Sequence, residues 1–402
     1  MVPKGWERKP IKEVCESIID CVNKTATTVD FVTPYKMLRT TNVRNGRVNT
    51  VDVRYVTEDV YLEWTRRGKP RKGDLIFTRE APVGEVGVLE DEDGVFLGQR
   101  TMMYRANLEK ANNYYLFYSL QSRFCQKQIE DFSNGGTVEH MRVPDCGEII
   151  INVPPIFEQK KIAKILSVWD KAITTTEQLL ANSQQQKKAL MQKLLTGKVR
   201  FAGFNAKWTY VRLGEVADMN SGGTPKSSVP EYFGGDIPWV SIADMTKHGQ
   251  FISKTEKILT KLGIENSSAR IYPKHTVLFA MYASIGECSI ANVELASSQA
   301  ILGIRPKSEL NHLFLYYYLS SLKEKIKLQG QQGTQSNLNA GMVKDFSFNL
   351  PSINEQIEIA AALSIADKQI EINKSRLELL QQEKKALMQQ LLTGKRRVAV
   401  NV

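Results

Sequence analysis

The sequence predicts an α+β protein built as a pseudo-two-fold internal repeat. Two loop-rich α+β domains are separated by two long helices, and the helices pair as an antiparallel coiled coil. Three observations predict this. Residues 153–200 align without a gap to 350–397, at a constant offset of 197, with 26 identities in 48 positions. Each copy is free of proline and glycine from just after Pro155 or Pro351 up to Gly197 or Gly394. The stretches between them mix short β-rich runs with turn residues. The chain accordingly divides into a first variable domain (1–152), a first constant helical region (153–200), a second variable domain (201–349) and a second constant region (350–402).

In the first variable domain, Val51 to Val56 and Gly73 to Thr78 read as strands bounded by turns. Tyr114 to Ile129 reads as a helix, and Phe314 to Ile326 is its counterpart in the second domain. The clustered tyrosines at these helix starts fit a core with hydroxyl partners. The repeat persists faintly here at an offset of 202. Trp6 matches Trp208, Leu75-Ile76-Phe77 with Gly84 matches Val277-Leu278-Phe279 with Gly286, and Gly135-Gly136-Thr137 aligns with Gln332-Gly333-Thr334 at a slightly shorter offset.

Each constant region predicts a helix of about 38 residues, or ~57 Å at 1.5 Å per residue. Its C-terminal stop is Thr-Gly-Lys, with basic residues at the negative end of the dipole. Apolar residues at 4-3 spacing form a seam: Ile162, Leu166, Trp169, Ile173, Leu180, Leu190 and Leu194 in the first copy. In the second they are Ile359, Leu363, Ile370, Leu377, Leu387 and Leu391. Polar Thr176, Asn373, Lys187 and Lys384 interrupt the same columns, as register-fixing residues do in coiled coils. One amphipathic helix packed on its own domain is the simpler alternative. An antiparallel pair would place the variable domains at opposite ends of a rod, a molecular ruler.

Net charge is +11 with a pI near 9.2, which invites a polyanion. The excess is not in the variable domains alone: residues 1–150 sum to zero and 151–200 to +6. The five cysteines are scattered without a C-x-x-C pair, which predicts a reducing, cytoplasmic setting and neither a disulfide framework nor a structural zinc. No apolar run approaches the ~20 residues of a membrane span, and the stretch Met1-Val2-Pro3-Lys4-Gly5-Trp6 lacks the apolar run expected of a signal peptide.

Three motifs resemble catalytic ones. Pro144-Asp145 followed by Glu158-Gln159-Lys160 matches the PD…ExK pattern of metal-dependent nucleases, in which carboxylates hold an activating cation. In the second copy Asp145 and Lys160 become Met342 and Ile357, while Glu158 persists as Glu355, so a first-turn acid explains it better. Asn152-Val153-Pro154-Pro155-Ile156 approaches the Asn-Pro-Pro-aromatic tetrapeptide of DNA amino-methyltransferases, but the inserted valine breaks it. Thr196-Gly197-Lys198 lacks the upstream glycine of a phosphate loop. No catalytic constellation and no metal site emerges.

Candidate DNA-facing residues lie in loops. In the first domain they are Arg39, Thr41, Asn42, Arg44, Asn45, Arg47 and Arg79, beside a basic run at Arg66-Arg67, Lys69 and Arg71-Lys72. In the second they are Lys226, Ser241, Asp244, Lys247, His248 and Tyr282. Arginine bidentate to guanine and asparagine bidentate to adenine distinguish bases in the major groove, while further cations hold phosphates. For each residue an ordinary solvated surface role is the alternative.

The stretches Pro154 to Ala163 and Lys188 to Lys198, with their repeats at 351–360 and 385–395, resemble the specificity subunits of type I restriction–modification enzymes. The resemblance implies that the variable domains are target-recognition domains, each reading one half of a split, asymmetric target in double-stranded DNA. It implies that the helices fix the spacer and dock two methyltransferase (modification) subunits, joined in the full enzyme by ATP-dependent restriction subunits. The chain itself would then be non-catalytic and bind no cofactor, with S-adenosylmethionine, ATP and magnesium on the partners. Heads reading one face of B-DNA want centres about 34–36 Å apart. Competing readings are a stand-alone DNA-binding protein on the same scaffold, a PD…ExK nuclease, or a coiled-coil assembly scaffold.

Overall fold

The computed structural model describes residues 2–22, 24–133, 139–331 and 338–398. The aligned triplets Gly135-Gly136-Thr137 and Gln332-Gly333-Thr334 lie outside the described residues. The chain forms two compact units, Met1–Glu177 with Ser375–Val402, and Gln178–Lys374. Packing thus regroups the four linear segments. Each unit takes one variable domain, the first half of the long helix that follows it, and the second half of the other long helix.

In unit 1 the main sheet runs in the order Cys15–Asp20, Thr101–Ala106, Leu75–Arg79, Val83–Val88, Arg47–Val48, Val43–Arg44. Its centre is buried and largely apolar: Leu75, Ile76, Phe77, Met102, Met103 and Tyr104 are all buried. Phe77 and Tyr104 meet edge to face at 5.7 Å, and the Tyr104 hydroxyl donates to the Cys146 carbonyl (3.0 Å). A smaller sheet (Arg54–Tyr55, Lys36–Leu38, Val95–Leu97) carries the helix Glu58–Thr65. A two-stranded stem, Glu7–Pro10 against Ile150–Val153, closes the domain where its two ends meet.

Unit 2 repeats this plan. Its main sheet is ordered Ala217–Ser221, Ile301–Pro306, Val277–Ala280, Cys288–Ala291, Phe251–Ile252, and its stem pairs Thr209–Arg212 with Ser347–Leu350. The faint offset of 202 is structural. Phe77 pairs with Met102 as Phe279 pairs with Leu302, and Gly84 (φ 87°) and Gly286 (φ 82°) both turn through the left-handed region. The helix Asn113–Gln121 is capped by Asn112, whose side chain accepts from the Tyr115 amide, and His312–Gln331 starts likewise beneath Asn311.

The two long helices span Ile156–Leu194 and Ile353–Leu391, 39 residues each. Both begin just after proline, and both stop before a left-handed glycine, Gly197 (φ 69°) or Gly394 (φ 71°). The halves within each unit run antiparallel: Asp170 meets Lys384 in unit 1, Lys187 meets Asp367 in unit 2, and Asn373 donates to the Ser183 hydroxyl at 3.0 Å. Of the predicted seam, Ile162, Leu166, Ile173, Leu194, Ile359, Leu363 and Leu391 are buried. Trp169, Leu180, Leu190, Ile370, Leu377 and Leu387 are half-buried. Each fully buried leucine or isoleucine contributes about 1.5–3 kcal/mol.

Candidate nucleic-acid interface

The loops holding the predicted DNA-facing residues fold differently in the two units. In unit 1 a short 3-10 turn, Thr40–Asn42, leads into a hairpin pairing Val43 with Val48 and Arg44 with Arg47. Its two turn residues, Asn45 (φ 52°) and Gly46 (φ 79°), both have positive φ, the geometry that matches strand twist in a two-residue hairpin. In unit 2 the corresponding stretch is a helix, Ile242–His248, capped by Ser241 and closed by Gly249 (φ 68°).

Several predicted contact residues are engaged within the fold. Asn42 is 4% exposed; its side chain accepts from the Arg39 amide (2.9 Å) and donates to the Asn49 and Asp52 carbonyls. Asp244, 3% exposed, does the same work in unit 2, accepting from the Ser241 amide and hydroxyl and from the Glu256 amide. Burial alone would raise its pKa, but those hydrogen bonds outweigh it and hold the carboxyl below its ordinary value. Ser241 is its capping partner. Arg79 is a largely buried tie, 3.0 Å from Asp20 and donating to the Met141 carbonyl. These four, predicted as base-reading candidates, are tied into the fold through most of their polar atoms, although the Arg79 Nε is buried without a hydrogen-bond partner. Arg47 is exposed but bonded to Thr174 (2.8 Å) and Glu177 (2.7 Å) of the first long helix.

Thr41 and Asn45 remain exposed and Arg44 half-buried in unit 1, and Arg39 is half-buried at the turn. In unit 2 Lys226, Lys247, His248 and Tyr282 are exposed. The basic run adds cations that the fold leaves available. Arg66, Arg71 and Lys72 are exposed and have no side-chain ion pair among the described residues. Their backbone is nevertheless fixed: Arg105 donates to the Lys69 carbonyl and, through two nitrogens, to buried Asp74, which also accepts from the Arg71 amide. A rigid loop with unpaired cations suits a phosphate backbone.

Sequence reasoning missed the polar joints beneath each domain. Glu158 (2% exposed) accepts from the Trp6 indole at 3.2 Å and from Arg397 through two nitrogens. Glu355 (1% exposed) accepts from the Trp208 indole at 2.9 Å and from Arg200 at 2.8 Å through each of two nitrogens. Asp170 accepts from the Tyr118 hydroxyl and Lys384, both at 2.5 Å; Asp367 accepts from the Tyr317 hydroxyl (2.8 Å) and Lys187. Burial, reinforced by the bond to Asp170, drives the Tyr118 phenol well above its ordinary pKa. Gln159 and Gln356 are fully buried and each satisfies an amide and two carbonyls. The available signal was that polar residues, not only apolar ones, are identical in the two copies.

In unit 1 a cleft of about 1220 Å³ lies above this joint, lined by Asn45, Arg47, Tyr118, Asp170 and Lys384 among others. The nuclease constellation is not assembled. Asp145 is paired with Arg142, Glu158 is held by Trp6 and Arg397, and Lys160 is exposed. Among the described residues no three of His, Cys, Asp and Glu are grouped to hold a metal. Burial pushes the Cys125 and Cys146 thiols up to about 12, leaving them unreactive. No helix of the described residues is long and apolar enough to cross a membrane.

The family described as "Type I restriction modification DNA specificity domain" matches residues 3–182 and again 205–382. A putative type I restriction enzyme MjaX specificity subunit from Methanocaldococcus jannaschii is 27% identical over 423 residues, covering 99% of this chain and 95% of that protein. The MjaVIII specificity subunit of the same organism is 29% identical, covering 84% and 85%. Among solved structures, the S subunit of a type I restriction–modification system from M. genitalium superposes with a TM-score of 0.61 at 18% identity, covering 96% of each chain. The HsdS subunit from Thermoanaerobacter tengcongensis gives 0.51 at 22%, covering 98% of each. These likenesses support the fold over the whole length.

Proposed function

The chain belongs to the type I restriction–modification DNA specificity family, and we propose that each of its two units reads one half of a split target in double-stranded DNA. As a specificity subunit it sets sequence for a methyltransferase and restriction complex. The observation that carries the split-target reading is one joint used twice beneath two different loop surfaces: the Trp–Glu–Arg and Tyr–Asp–Lys contacts are repeated, while hairpin and helix diverge above them. Thr41, Arg44 and Asn45 are the residues we assign to base edges in the first half, and Lys247, His248 and Tyr282 in the second. Arg66, Arg71, Lys72 and Lys226 hold phosphates.

The long helices fix the spacer and dock two modification subunits. Val168 and Ile365, one repeat apart, are 63% and 71% exposed, and Leu179, Ile372 and Leu379 add further exposed apolar surface, which supports a docking role. Catalysis belongs to the partners, which would carry S-adenosylmethionine, ATP and magnesium, and the complex works in the cytoplasm. The test is co-expression with modification subunits followed by sequencing of adenine methylation. A two-part motif with a fixed gap is expected; a stable complex that methylates no split motif overturns the reading.

A further inference from the structure

We infer that Arg397 is a positioning residue for the first recognition unit: the segment after the second long helix sets how residues 1–152 meet their half of the target. This rests on the split-target reading. Glu158 sits at the start of the first long helix, beneath the stem that joins the ends of the first variable domain. A carboxylate buried this deeply needs a charged partner, and Arg397 supplies it, while the Trp6 indole adds a neutral hydrogen bond. The same segment grips the stem elsewhere. Arg397 donates to the Lys4 carbonyl (3.1 Å), and the Asn152 side chain donates to the Leu392 carbonyl (3.0 Å). Gly394 leaves no room for a side chain, since a Cβ there would lie 2.3 Å from Pro3. Leu391 and Leu392 join the core that holds Trp6, Ile151 and Ile162.

Unit 2 has the same joint from local material, because Arg200 immediately precedes its own domain. Unit 1 alone draws its arginine from beyond the other domain, 239 residues past Glu158. Half-site 1 is therefore under the control of a segment remote from it in sequence, and half-site 2 is not.

The test uses the full chain in complex with its modification subunits. Methylation rates are compared on the intact target and on targets carrying one base change in either half, the halves being assigned by exchange of residues 1–152. Arg397→Ala should reduce discrimination in the half read by residues 1–152 about tenfold and the other half less than about twofold. Arg200→Ala should do the reverse. Arg397→Ala combined with Glu158→Gln removes the stranded charge and should recover most of the discrimination, which a general loss of folding would not allow. If Arg397→Ala gives no soluble complex, the double variant and Arg200→Ala carry the comparison. Equal losses in both halves, no loss, or no recovery in the double variant overturns the inference. A wild-type complex without a split motif overturns the reading beneath it.

Discussion

Below the loops, the two units are nearly the same object; at the loops they are strangers. Gln159 and Gln356, Glu158 and Glu355, Asp170 and Asp367 make matching bonds in the two units. Above them, an Asn-Gly hairpin has a capped helix as its counterpart in the repeat, and a run of five cations between residues 66 and 72 aligns with only Arg270 and Lys274. Gly73 and Asn113 lie together in unit 1, where His275 and His312 lie with ring centroids 4.3 Å apart in unit 2. The two kinds of residue are constrained by different things. Buried polar groups must keep their partners, so the joints are repeated; exposed loops answer only to what they bind, so they diverge.

The largest expected effect tests the sameness. Gln159→Ala and Gln356→Ala each leave buried backbone groups unpaired and should destabilise their own unit by about 2–4 kcal/mol in urea unfolding. Clearly unequal losses would break the equivalence. Next comes a difference. Replacing Arg66, Arg71 and Lys72 with alanine should lower the slope of log affinity against log salt by about 2–3 and leave base preference intact; an unchanged slope would remove this loop from the DNA contact.

Smaller effects follow. Asn42→Ala and Asp244→Ala should each cost about 1–2 kcal/mol through lost caps, whereas Lys247→Ala and His248→Ala should not alter the melting temperature. Finally, burial, aided by His275, lowers the His312 pKa to about 4. A base whose folded pKa lies below its unfolded value of 6.5 loses stability as pH falls from about 6.5 to 4. Discounted for its half-exposed site, the loss is about 1 kcal/mol. Amide protection factors at the start of His312–Gln331, corrected for the intrinsic pH dependence of exchange, should fall over that range, those of the Asn113 helix should not, and His312→Asn should remove the effect.

How much of this was legible in sequence follows the same division. The long helices were readable because periodicity, flanking prolines and the glycine stop are local signals, and they end at Leu194 and Leu391 as those signals require. The repeat exposed Glu158 as structural through Glu355, although its partner Arg397 lies too far along the chain for spacing to reveal. Asn42 and Asp244 read as DNA contacts because a polar residue in a loop looks the same whether it faces solvent or bonds to the turn behind it. Lys187 and Lys384 read as seam interruptions, but each reaches an aspartate and lies over a tyrosine ring, Tyr317 or Tyr118.

The most direct test of the central claim is exchange of residues 1–152 for those of a relative with a different target, with adenine methylation sequenced afterwards. The expected result is a new motif changed in one half only, with the other half and the gap preserved. A motif changed in both halves, or in neither, would contradict the assignment of one half-site to each unit.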